Sequence, residues 1–235
     1  MNIWSRKYYL LSAFLFLLLG AISKAAEKTS DSLISEESRA LASRAEKAFT
    51  SGDLHATESL YKQAIAGSPN IPSLLVSLAA VETRLGNFSS SDHLLQQALS
   101  LDLKNGAAWL LLGMNALAQK RDTEAFAALV QAALTDDLNP RVHNYLGIAA
   151  GRKGWNEASE QELRRAVELD PHYADANFNL AVLYLRRTPP LMELAHRHYQ
   201  QALDLGCAKD PAMEAQFTNA IARPTPLPAT SNALP

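Results

Sequence analysis

The sequence predicts an all-α solenoid of about five helix-turn-helix units stacked in a row and closed by one further C-terminal helix. Ala64, Ala98, Ala132 and Ala166 fall every 34 positions. A second row, Ala45, Ala79, Gly113, Gly147 and Ala181, is also small and keeps the same period. Between the rows, apolar residues recur at helical spacing, as in Leu75, Leu78 and Ala79 or Leu94, Leu95, Ala98 and Leu99. Two independent rows at one period mark a single supersecondary unit repeated along the chain. One helix pair cannot bury its apolar face alone, so neighbouring units stack and share a continuous core.

Taken in order, residues 1–25 read as a secretory signal peptide. Arg6 and Lys7 open it, Tyr8 to Ile22 is an apolar run of fifteen, and Ser23-Lys24-Ala25 places cleavage before Ala26. The run is short of the roughly 20 residues a membrane helix needs. The expectation is an exported protein, periplasmic or secreted, with no membrane insertion after cleavage; an uncleaved anchor is the alternative. Residues 26–34 form a polar linker, and Ser35 caps the first helix with Glu36 and Glu37 in its first turn. Units 38–71, 72–105, 106–139, 140–173 and 174–209 follow, the solenoid as a whole spanning 35–222. Gly52-Asp53 and Gly86-Asn87 lie between paired helices, where a left-handed turn residue is needed. The fifth unit keeps register only with two extra residues around Thr188-Pro189-Pro190. Asp210-Pro211 starts a capping helix over 210–222. Pro224, Pro226, Pro228 and Pro235 make 223–235 an extended, disordered tail.

The units carry a family pattern. Trp109, Leu112, Gly113, Ala125 and Ala132 in the third, and Leu146, Gly147, Gly154, Ala166 and Leu169-Asp170-Pro171 in the fourth, give the chain a resemblance to the tetratricopeptide repeat family. Lys120 stands where that family usually has glycine. The resemblance implies a right-handed superhelical solenoid whose first helices line a concave face. It also implies which positions look into that face. The partner-binding candidates are Val76 and Arg84; Leu110, Met114 and Leu117; Asn144, Ile148 and Arg152; and Phe178, Asn179 and Arg186. They suggest an apolar floor around Leu110 and Met114 flanked by Asn and Arg. Methionine adapts to irregular surfaces, and asparagine both donates to and accepts from a peptide backbone. The Lys and Asn pattern of the carboxylate-clamp co-chaperones is not matched; the first unit offers Ala42 and Glu46.

Charge and chemistry exclude other classes. The formal charge is −2, and removal of Arg6, Lys7 and Lys24 with the first 25 residues takes it to −5. No basic stripe suits nucleic acid. Cys207 is the single cysteine, so no internal disulfide forms. His196 and His198 point about 200° apart on a helix and cannot share a metal. No phosphate loop, nucleophile elbow or zinc spacing occurs. Asp102, Asp136 and Asp170 recur at the closing turns as structural residues. The reading is a non-catalytic, cofactor-free interaction module that binds a protein or peptide on its concave face. A self-assembling scaffold and a small-ligand or glycan-binding solenoid are the alternatives.

Overall fold

The computed structural model describes residues 34–222. The expected signal peptide, nearly all of the linker and the tail lie outside the described residues. Eleven helices run through the described part as five hairpins and a cap. The hairpins are α1 (Glu36–Thr50) with α2 (Leu54–Gly67), α3 (Pro72–Leu85) with α4 (Phe88–Leu101), and α5 (Gly106–Ala118) with α6 (Asp122–Thr135). Then come α7 (Pro140–Arg152) with α8 (Asn156–Leu169), α9 (Ala174–Leu185) with α10 (Met192–Asp204), and α11 (Pro211–Ala222) alone.

Local chemistry sets the boundaries. The side chains of Ser35, Asp53 and Asn105 accept hydrogen bonds from Ser38 N, Ala56 N and Ala108 N, each satisfying an otherwise unpaired helix N–H. Pro72 and Pro140 start α3 and α7, where the missing N–H costs nothing. Three of the turns inside hairpins use left-handed glycines, Gly52, Gly86 and Gly154. The third hairpin turns instead on Lys120 at φ 60°, the one non-glycine residue with positive φ among the described residues.

The two small-residue rows are where paired helices touch. Ala64, Ala98, Ala132 and Ala166 have no exposed surface. A Cβ at Gly113 would lie 2.4 Å from Leu129 Cγ, and one at Gly147 would lie 2.7 Å from Leu163 Cγ. Each second helix also packs on the first helix of the next unit, and the first helices α3, α5, α7 and α9 contact one another in sequence. The first helices therefore make a continuous inner layer, with the second helices outside. So enclosed is this layer that Leu74–Glu82 and Val142–Ala150 are buried without a break. At the far end Met213 and Phe217 of α11 are buried against Tyr199, and Asp210 N donates to the Tyr199 hydroxyl at 2.7 Å. Cys207, the single cysteine of the chain, lies half-buried beside this cluster.

Candidate concave interaction surface

The inner layer is where the sequence puts its candidates, and the structure divides them. Leu110 and Leu117 of α5 and Ile148 of α7 belong to one core cluster with Tyr145. Val76 belongs to the cluster of the second and third units, and Phe178 to that of the fifth. All five are buried. Whether such a position meets solvent depends on how close the neighbouring inner helices come. The clusters of these five draw residues from the adjoining first and second helices alike, and that packing covers these side chains. The apolar floor is thereby reduced to Met114, half-buried across two core clusters, with Val182 half-buried on α9.

Arg84 and Arg152 are engaged with the preceding unit. The Arg84 guanidinium sits 4.5 Å from the centroid of the Phe49 ring of α1, a cation–π contact. Arg152 Nη1 donates to the Leu117 carbonyl at 2.6 Å, which ends α5, and pairs with Asp122 at 3.1 Å. Two further arginines repeat the arrangement. Arg121 reaches back to Asp92 of α4, and Arg187 to Glu157 and Glu160 of α8. A basic residue at the end of the inner helix, or in the turn after it, thus ties each of units two to five to the one before. These ties went unread in the sequence, although the Arg–acid spacings of 29 and 30 residues recur there.

A polar strip remains on α7 and α9. Asn179 Nδ2 donates to Asn144 Oδ1 at 2.9 Å, and Asn144 Nδ2 donates to the Tyr173 hydroxyl at 3.3 Å. Asn144 is buried, whereas Asn179 is half-buried and Arg186, at the end of α9, is exposed. Burial pushes the Tyr173 phenol well above its usual range, so it stays protonated; Arg141 and Asn144 beside it oppose that shift, and Asp175 adds to it. Tyr173 is the member of this strip that sequence reasoning missed, because it lies in the turn before α9 rather than on an inner helix. A second network between units two and three joins buried Asn115 and Ser91 to half-buried Thr83 and Asp92. Among the described residues no group of three His, Cys, Asp or Glu side chains is placed to hold a metal ion, and no helix is long and apolar enough to cross a membrane.

A tetratricopeptide repeat family model matches residues 77–141 and 146–206, more than half of the chain. The chain belongs to the tetratricopeptide repeat family. It is 29% identical over 122 residues to the general transcriptional corepressor ssn6 of Schizosaccharomyces pombe. That stretch is 51% of this chain but only 11% of the relative, so the chain spans about a tenth of the relative's length. Among solved structures, the tetratricopeptide chain is similar to Pseudomonas aeruginosa pilF with a TM-score of 0.70 and 18% identity, over 80% of this chain and 85% of that one. It is also similar to YrrB, described as a tetratricopeptide protein with an unusual peptide-binding site. The TM-score there is 0.59 at 17% identity, over 86% of this chain and 99% of that one. At these identities the likeness is one of fold.

Proposed function

We infer that this protein is a non-catalytic binding module that holds a peptide or protein segment against the inner surface of its third to fifth units. Proteins of this fold generally serve as scaffolds for proteins or peptides, and YrrB supplies a peptide-binding precedent. The observation that carries the reading is the strip Asn179–Asn144–Tyr173, with Met114 and Val182 as its apolar border. Half-buried Asn179 offers both a donor and an acceptor, the pattern a peptide backbone presents, and buried Asn144 holds it in place. The two are already fixed to each other and to Tyr173, so little ordering remains to be done on binding. The mechanism is equilibrium binding to a largely preformed surface.

The test is selection of binders from a random peptide display library, followed by calorimetry with purified variants. Met114→Glu and Asn179→Ala are expected to weaken selected peptides about tenfold or more, the scale of losing one buried anchor or charge-free hydrogen bond pair at an interface. Gln96→Ala on the outer helix α4 leaves binding unchanged. Equal affinity in all three would remove the inner surface from consideration.

The proposed setting is outside the cytoplasm, on the strength of Arg6, Lys7 and the apolar run to Ile22. Residues 1–30 fused to a reporter that needs disulfides to be active should yield activity only if they direct export.

A further inference from the structure

One edge of the solenoid, where each second helix turns into the next unit, carries exposed leucines in the central units. Leu101 ends α4 and Leu103 follows it, and Leu134 and Leu138 flank the end of α6; Leu103, Leu134 and Leu138 are 69%, 75% and 66% exposed. The two turns are neighbours. The Trp109 indole N–H donates to the Leu103 carbonyl at 2.9 Å, and a Cβ on Gly106, the first residue of α5, would lie 2.8 Å from Thr135 Oγ1. The same edge is not leucine-rich elsewhere: the first unit has Ala66, Gly67, Pro69 and Asn70 at the equivalent positions. Repeat stacking therefore does not require apolar residues here. Large side chains that serve no internal packing and cluster on a surface mark an interaction site.

The order of residues in the two turns says what fits. At the same two repeat positions the first turn reads Leu103-Lys104 and the second reads Asp137-Leu138. Lys104 and Asp137 are both exposed. A two-fold axis between the turns lays the first turn of one copy over the second turn of another with the chain direction reversed. Leu103 then meets Leu138 of the other copy, Lys104 meets Asp137, and the axis generates each contact twice. Neither turn complements itself, since that would oppose like charges. We propose that this edge is a self-complementary surface by which two copies of the chain pair through Leu103, Lys104, Asp137 and Leu138. Four leucines a side are fewer than the roughly 20–30 residues of a standard interface, so the pairing is weak and concentration-dependent. The pairing leaves the inner surface open and goes beyond the binding function proposed above.

The pattern dictates a charge-exchange experiment on the full chain, read by sedimentation across a concentration series and by co-purification of two differently tagged copies. The wild type is expected to shift from one chain to two. Lys104→Asp alone and Asp137→Lys alone each oppose like charges at both contacts and should weaken pairing about a hundredfold. Mixing these two variants restores both opposite-charge contacts and should regain pairing, as should the double variant with itself. Leu103→Glu should abolish pairing with the helical circular dichroism unchanged. Failure of the mixture to recover, or single variants that pair like wild type, would overturn the proposal. So would a chain that stays single at all concentrations.

Discussion

Lys120→Gly should stabilise this protein, and the reason is confined to one backbone dihedral. At φ 60° Lys120 occupies the left-handed region, which costs an L-residue about 1–2 kcal/mol through the approach of its Cβ to the following carbonyl. Glycine has no such contact but gives the unfolded chain more freedom, which takes back about 0.5–1 kcal/mol. The net gain expected is about 0.5–1 kcal/mol. Lys120 N donates to Leu117 O and Arg121 N to Ala116 O, so the substitution tightens the closure of α5 against α6. Because each unit contacts only its neighbours, the effect should be local. Hydrogen exchange is the suitable assay, with amides of residues 116–125 slowing about two- to fivefold while those of α1 and α2 keep their rates. The companion is Gly154→Ala. Gly154 sits at φ 79° with nothing within 4 Å of an added Cβ, so only backbone strain is introduced. It should cost about 1 kcal/mol and speed exchange in the turn from α7 to α8. Unchanged or faster exchange in Lys120→Gly, or no penalty in Gly154→Ala, would refute the strain argument.

Gly147→Ala tests the closeness of α7 to α8. The new Cβ would lie 2.7 Å from Leu163 Cγ and 3.1 Å from the Ser159 carbonyl, whose backbone cannot step aside cheaply. Overpacking of about 1–3 kcal/mol, less about 1 kcal/mol of helix propensity, should lower the urea midpoint. An unchanged midpoint would mean that the helix pair can part enough to admit the methyl. His143 gives a pH prediction. Its ring nitrogens lie 2.7 Å from Glu162 Oε2 and 2.8 Å from the Asp137 carbonyl, both acceptors, so the doubly protonated ring is favoured. The Glu162 hydrogen bond, more than the Asp137 carbonyl and the nearby carboxylate charge, raises its pKa above 6.5 against burial and Arg165. With the folded value raised, this stabilisation is complete below pH about 6.5 and is lost as pH climbs through the folded pKa. The stability gap between wild type and His143→Leu should therefore be widest near pH 5.5 and shrink toward pH 8. A gap that widens with pH would reverse the assignment.

The architecture was legible because the contact that makes it leaves little choice of residue. Helices that cross as closely as α5 on α6 leave room for a hydrogen alone at position 113, and a demand for Gly or Ala recurs every 34 residues. The surface was less legible. Leu110, Leu117 and Phe178 share the helical phase of Met114 and Asn179, yet neighbouring helices cover the first three and leave the others at solvent. That distinction is tertiary and has no signature in a single helix. Arg84 and Arg152 were misplaced for a related reason. A long side chain at the end of a helix has a reach of several ångströms, and its recipient, Phe49 or the Leu117 carbonyl, lies about one unit upstream.

The arginine ties give the row of units an order. Each unit from the second onward brings a cation, and its receiver sits in the predecessor: an aromatic ring in the first unit, Asp92 in the second, Asp122 and a helix-ending carbonyl in the third, a glutamate pair in the fourth. The fasteners are not interchangeable, since Arg84 seeks a flat apolar face and Arg187 two carboxylates. Cutting out the third unit would set Arg152 against a neighbour built to receive Arg121, and duplicating it would face Arg121 with Phe126, which holds the place of Asp92 in the third unit. The units look alike in their small-residue rows but are addressed in sequence, so permuting them would mismatch ties that the shared repeat pattern does not reveal.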